Sequence, residues 1–320
     1  MQIPDVVYGF YFDQNGDTQK IAPDSIVSID RPHWLHFDYT SEATIEWLRE
    51  HSQLNSIVID ALLNEETRPR TTVLGEGLLI SLRGVNLAAG SNPEDMVSIR
   101  LWVTKDKVIS TRRRKLLSTL DIANEFERGN GPTSPPKFVI DLTEKLISRM
   151  SETINEIEEK VADIEENIIT ATNYSLRNDL SVLRRQIISL RRYLAPQKEA
   201  MLQLLSEKVT LFSAEEKIQL RETLDHLVRY IEDLDSIKDR AAVSQEELSN
   251  RLAEQMNNRM YVLSIVAAIF LPLGFLTGLL GINVGGIPGA ENSASFAIFT
   301  LLLVGVVAIQ VWIFKKKNWF

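Results

Sequence analysis

Two uncharged stretches near the C-terminal end most constrain what this chain can fold into. Residues 260–280 read MYVLSIVAAIFLPLGFLTGLL, and residues 296–314 form a second uncharged run of nearly that length. A helix rises about 1.5 Å per residue, so the first run spans roughly 30 Å, the thickness of a bilayer's hydrocarbon core. Helices buried in soluble cores rarely run so far without a charge. Both runs are therefore expected to cross a membrane. The connection between them contains Glu291 but no Lys or Arg, whereas Arg251 and Arg259 precede the first run and Lys315, Lys316 and Lys317 follow the second. The positive-inside rule then puts both termini in the cytoplasm and the short connection outside. Trp312, Trp319 and Phe320 suit an aromatic belt at the inner interface. The first twelve residues have no basic start and no long apolar stretch, so no cleavable signal is expected.

The rest of the 320 residues is charged and soluble in character, and the formal net charge of -8 argues against nucleic-acid binding. The absence of cysteine excludes disulfides, thiolate metal sites and cysteine nucleophiles. Up to residue 136 the pattern is mixed α/β. Strand-like runs fall at 6–12, 77–85, 96–103 and 108–111, and helical ones at 44–54 and 56–64. A Gly/Pro-rich stretch at 129–136 reads as a linker. Residues 137–212 read as a helical hairpin, with Pro196 expected to kink its second arm. A stalk helix then runs from a Ser213/Glu216 capping box into the first span, over residues 213–280 and on the order of 100 Å. Residues 281–295 form the outer loop, and 296–320 the second span with its basic tail. Leu220, Leu224, Leu227, Ile231, Leu234, Ala241, Leu248 and Leu252 keep near-heptad spacing on the stalk, interrupted by Lys238 and Gln245. Such a seam needs a partner helix, from the hairpin or from another subunit.

One face of the first span is small and polar: Asn257, Met260, Ser264, Ala267, Leu271, Gly274, Gly278 and Gly281. The opposite face carries Tyr261, Leu263, Ile265, Ile269, Phe270 and Leu276. Gly274-x-x-x-Gly278 is also the spacing of close helix packing, so the stripe by itself leaves packing and pore lining both open. Followed back along the stalk, the same face presents Asp225, Glu232, Asp239 and Glu246, with Ser236 and Asn250 between them. Repeated around a symmetric oligomer, these carboxylates would form a cation-attracting funnel; in a lone helix they would be a solvated face.

Gly281-Ile282-Asn283, followed by Val284-Gly285-Gly286-Ile287-Pro288-Gly289, resembles the Gly-Met-Asn signature of the CorA family of divalent-cation transporters. Phe270-Leu271-Pro272-Leu273, Phe275-Leu276-Thr277-Gly278 and the order of elements are similar to that family over essentially the whole chain. Ile282 replaces the usual Met. With Glu65 to Arg70, Leu74 to Gly77 and Arg191 to Gln197, it resembles the ZntB zinc-transporter branch. The resemblance implies an α/β domain with a long stalk and two C-terminal membrane helices, assembled as a funnel-shaped homopentamer in a bacterial inner membrane. It also implies zinc as the transported cation, linked to the proton gradient, with Gly281, Ile282 and Asn283 as the selectivity motif.

The chemistry of the residues adds limits. Tight zinc binding favours Cys or His, and His33, His36, His51 and His226 all precede the spans. His33 and His36 are close in sequence, but Trp34 and Leu35 between them suggest a buried strand. The Asn283 amide carbonyl suits contact with an ion's hydration shell, and Glu291 would add charge at the outer mouth; no inner-sphere metal site and no cofactor are expected. Such a pore discriminates weakly between zinc and magnesium, so a magnesium or cobalt channel is the near alternative. Neither span contains Asp, Glu, His or Lys, so a coupled proton would have to use Glu291 or the funnel. No P-loop, Gly-x-Ser-x-Gly or His-Glu-x-x-His motif is present, and an enzyme is not expected. A membrane-anchored metal sensor or scaffold is the alternative of a different class, and divalent flux would separate it from a transporter.

Overall fold

A computed structural model of the chain describes residues 4–13, 19–22, 25–26, 29–65, 68–168, 175–281, 289 and 292–317. It has two compact units, Met1–Glu246 and Glu247–Phe320.

The first unit is built on a six-stranded sheet. Its strands are β1 (Val6–Tyr11), β2 (His33–Asp38), β3 (Arg70–Leu74), β4 (Gly77–Gly84), β5 (Val97–Val103) and β6 (Lys107–Arg112), in the spatial order β1-β2-β6-β5-β4-β3. The β2–β6 pairing is parallel and the others are antiparallel. Side chains alternate across a strand, and helices cover both faces of the sheet. On one face Trp34, Ile80, Ile99, Leu101 and Val108 pack against α3 (Leu117–Glu127), α4 (Pro135–Ile168) and α5 (Ser175–Leu204) through Phe126, Phe138, Leu146, Ala200 and Leu204. On the other face Leu35, Phe37 and Ile109 meet Trp47 and Leu48 of α1 (Glu42–Glu50) and Val58 and Leu62 of α2 (Ser56–Leu63).

Some of these elements depart from the expectations. The strand expected around Trp34 and Leu35 is present as β2, but β3 and α3 were not anticipated, and α4 begins at Pro135, inside the stretch that composition marks as a linker. Proline is well tolerated in a first helical turn, where its missing N–H has no partner to lose. The core does not stop at residue 136 either. Phe138, Ala200 and Leu220 belong to the same apolar cluster as the sheet.

The stalk helix is α6 (Ala214–Gly281). Its capping box is formed: the Ser213 N–H donates to Glu216 Oε2 at 2.8 Å, and the Glu216 N–H donates to Ser213 Oγ at 3.2 Å. Most of the expected seam is buried within this one chain: Leu220, Leu224, Leu227, Leu234, Ala241, Leu248 and Leu252, with Ile231 half-buried. Polar bonds flank the seam. Arg240 donates to Glu165 Oε2 at 2.7 Å and to Glu158 Oε1 at 3.1 Å on α4. From α5, Arg191 reaches Asp235 at 2.6 Å and Arg184 donates to Gln245 at 2.6 Å. Gln245, an interruption by composition, is thus an anchoring point.

The second unit holds the end of α6 and α7 (Ser295–Lys316). Both apolar stretches are long enough to cross a membrane, and neither has a buried residue in its most apolar window. Leu263 is 73% and Leu271 71% exposed, an uncovered apolar surface that belongs in lipid or against another helix.

Candidate ion pathway

Burial divides the end of α6 into faces. Ile265, Ala268, Ile269, Leu273 and Leu276 are half-buried, whereas Asn257, Met260, Ser264, Ala267, Leu271, Gly274, Gly278 and Gly281 are all exposed. At 3.6 residues per turn the two sets lie on nearly opposite sides of the helix. The matching set on α7 is Phe299, Leu303, Val306 and Gln310, with Phe314 buried. α7 therefore packs on Ile265, Ile269 and Leu276 of the larger apolar face; the small, polar face is open, and so are Tyr261, Leu263 and Phe270. A Cβ added at Gly274, Gly278 or Gly281 would meet no atom within 4 Å. Among the described residues the Gly-x-x-x-Gly spacing does not serve helix packing.

The hydroxyls of this span turn back on their own helix. Ser264 Oγ donates to the Met260 carbonyl at 2.8 Å, and Thr277 Oγ1 to the Leu273 carbonyl at 2.9 Å. A polar contact joins the helices: Gln310 Nε2 donates to the Ala268 carbonyl at 3.2 Å. Sequence reasoning passed over Gln310. The signal was there, in the only amide of an otherwise apolar run.

In the first unit Asp225, Glu232, Ser236, Asp239 and Glu246 are exposed on α6, away from the buried seam, as is Asn250 beyond them. Asp239 lies 3.3 Å from Lys238 Nζ, with its side chain 75% exposed. Such a pair is mostly screened. Arg221, Arg229 and Val243 are also exposed on α6, so the acidic stripe is interspersed with other residues.

Ile282, Asn283 and Glu291 lie outside the described residues, as do Trp319 and Phe320. Gly281 is the last residue of α6. Gly289 has φ +85°, a conformation that favours glycine.

Among the described residues no group of three or more His, Asp or Glu side chains is placed to hold a metal. His33 and His36 are three residues apart on β2, so they project to opposite faces of the sheet and cannot share an ion. His33 Nδ1 lies 2.8 Å from the Arg31 carbonyl, and burial holds its pKa below the ordinary value. His36 is buried, with Nδ1 2.8 Å from Ser110 Oγ and its ring stacked on Tyr8. Burial, and secondarily Arg112, push its pKa down to about 3.

The segments singled out by resemblance prove architectural where they are described. Gly75, at φ +58°, makes the tight turn between β3 and β4. A Cβ at Gly77 would meet the Trp102 ring at 2.3 Å. In the Arg191 to Gln197 segment, Arg191 binds Asp235, and Tyr193 sits beside the Arg83 and Arg192 guanidiniums. Buried Gln197 accepts the Arg83 backbone N–H at 2.8 Å. This segment ties the sheet to α5 and α6. The Glu65 carbonyl accepts from buried Arg100 at 3.1 Å.

Residues 30–316 match the family model described as CorA-like Mg2+ transporter protein. The zinc transport protein ZntB of Yersinia enterocolitica is 37% identical over 319 residues, covering 100% of this chain and 97% of that protein. The structure of full-length CmaX has 36% sequence identity and a TM-score of 0.87, covering 100% of this chain and 99% of that one. The CorA magnesium transporter from Methanocaldococcus jannaschii shares the fold, with a TM-score of 0.82 at 14% identity over 98% of this chain and 99% of its own.

Proposed function

The chain belongs to the CorA family of divalent-cation transporters, and on that premise we propose that it carries zinc through a symmetric pentamer lined by the exposed face of α6. The observation that carries this reading is the division of faces. α7 covers Ile265, Ile269 and Leu276 on the large apolar side, and the stripe from Asn257 through Ser264, Ala267 and Gly274 to Gly281 is left uncovered. One chain with two membrane helices cannot enclose an aqueous path, so the path needs several copies. The full-length similarity to ZntB supports zinc as cargo. Asp225, Glu232, Asp239 and Glu246 then belong to the cytoplasmic approach, where they raise the local cation concentration. Asn283 forms the outer selectivity element by hydrogen-bonding the ion's water shell, and Glu291 charges the outer mouth. The membrane is a bacterial inner membrane with both termini in the cytoplasm.

Competitive uptake of zinc, magnesium and cobalt into proteoliposomes, with and without a pH gradient, tests the reading. Zinc flux that exceeds magnesium flux and responds to the gradient supports it. Magnesium outcompeting zinc would assign the chain to the magnesium-carrying side of the family. No divalent flux at all would leave the spans as anchors and end the transport reading. Asn283→Ala should reduce flux at least about tenfold with assembly intact, since it removes the ring of carbonyls that meets the hydrated ion.

A further inference from the structure

Pro272 stands inside the apolar stretch of α6, and the helix continues through it to Gly281. Proline has no N–H, so the carbonyl four residues earlier loses its helical donor. That carbonyl belongs to Ala268. In a bilayer no water takes the place of the missing bond, and an unsatisfied backbone carbonyl there is strongly unfavourable.

α7 supplies a donor to this same atom: Gln310 Nε2 lies 3.2 Å from the Ala268 carbonyl oxygen. The amide orientation follows from the contact, because only its NH2 end can donate to a carbonyl. Gln310 Oε1 is buried and has no partner among the described residues. The Thr300 hydroxyl, by contrast, returns to the Phe296 carbonyl on its own helix. A half-buried amide in an apolar helix is unfavourable in itself, and its one observed bond goes to the carbonyl that Pro272 leaves without a donor.

We infer that Gln310 is a positioning residue that replaces the hydrogen bond Pro272 removes and so fixes how α6 bends at that point. Ala268 is half-buried on the side of α6 that faces α7, and Pro272, one turn on, is exposed at the edge of that side. Losing the bond there opens the helix on that side. The bend it permits therefore carries residues 274–281 toward the opposite, small-residue face. On the transport reading above, on which only the functional consequence rests, that segment leads to the ion-selecting Asn283. A pinned hinge holds its angle; a free one lets the narrow end of the path wander.

A polar side chain between membrane helices can also act as general glue. The proline distinguishes the two roles, because in Pro272→Ala the restored N–H donates to Ala268 and leaves Gln310 with no special task. The experiment is a double-mutant cycle on the full chain with wild type, Gln310→Leu, Pro272→Ala and the double variant. Each is read as zinc flux in proteoliposomes and as melting temperature in detergent. Gln310→Leu should lower maximal flux per assembled protein about fivefold, the range of an interhelical hydrogen bond, without changing the half-saturating zinc concentration. It should also lower the melting temperature. In the Pro272→Ala background the same substitution should change flux less than about twofold and leave the melting temperature nearly unchanged. Equal losses in both backgrounds, or no loss beside the native proline, would overturn the inference. If Pro272→Ala carries no flux, the four melting temperatures decide, and additivity among them overturns it. If wild type carries no zinc flux, the transport reading fails while the melting cycle still decides the hinge bond.

Discussion

His36 sits beneath the sheet with its Nδ1 on Ser110 Oγ and its Nε2 without a partner among the described residues. Its pKa falls from 6.5 to about 3, first because burial penalises the charged form and then because Arg112 is near. A group whose folded pKa is depressed holds its full contribution to stability above its unfolded pKa. The contribution declines as pH falls toward the folded value. For His36 that window runs from 6.5 down to about 3. At one pH unit below the unfolded value the loss is about 1.4 kcal/mol. Hydrogen bonds to Arg240 and Arg191 hold the Glu165 and Asp235 carboxylates below their ordinary values of 4.5 and 3.8, so their contributions are lost only as pH falls below those values. The two sources are thus separable. Melting temperature should drop between pH 7 and pH 5.5 in wild type and drop less in His36→Gln; equal drops would show that His36 does not set the slope. The burial of His36 was only half legible in the sequence. His-Trp-Leu-His reads as a buried strand, but its parallel pairing with β6, and hence the Ser110 partner, depends on a contact 74 residues away.

On α6 the legible features were those that repeat along one helix. The capping box, the seam and the row of carboxylates all follow from short-range spacing; the box is formed, most of the seam is buried and the carboxylates are exposed. The elements that sequence missed have compromised periods. β3 is mostly exposed, at the edge of the sheet, and α3 buries Ser118 and Thr119 where an amphipathic helix would carry apolar side chains. The acidic stripe makes its own prediction. Asp225, Glu232, Asp239 and Glu246 recur about every two turns, roughly 10 Å apart along the axis. That is too far for neighbouring rows to share a bare ion, whose ligands lie within about 2.6 Å. They act through their field. Glu246→Gln should therefore lower flux by less than about half, and the deficit should shrink as salt shortens the Debye length from about 8 Å. Complete loss that salt does not relieve would indicate a discrete site at Glu246 instead.

For the molecule as a whole, the buried seam matters as much as the open stripe. Leu224, Leu227 and Leu234 are covered within one chain, with Arg191 and Arg240 holding α5 and α4 against α6. The stalk therefore does not need other subunits to bury this part of its seam. What remains uncovered is the membrane part, where no described residue lies against the glycines of the small face of α6. Assembly should accordingly depend on the spans. In mild detergent the full chain should run at five times its 36.3 kDa mass, and a stable monomer or dimer would contradict a pentameric path. The most direct test of the central claim uses the fact that the chain has no cysteine, so single cysteines report without background. Ser264→Cys and Ala267→Cys stand on the open face, and Ile265→Cys and Ile269→Cys on the face toward α7. In proteoliposomes of the assembled protein, a membrane-impermeant thiol reagent should modify the first pair and block divalent flux, while the second pair stays unreacted. Modification of the Ile265 and Ile269 positions, with Ser264 and Ala267 protected, would show that the water path runs elsewhere.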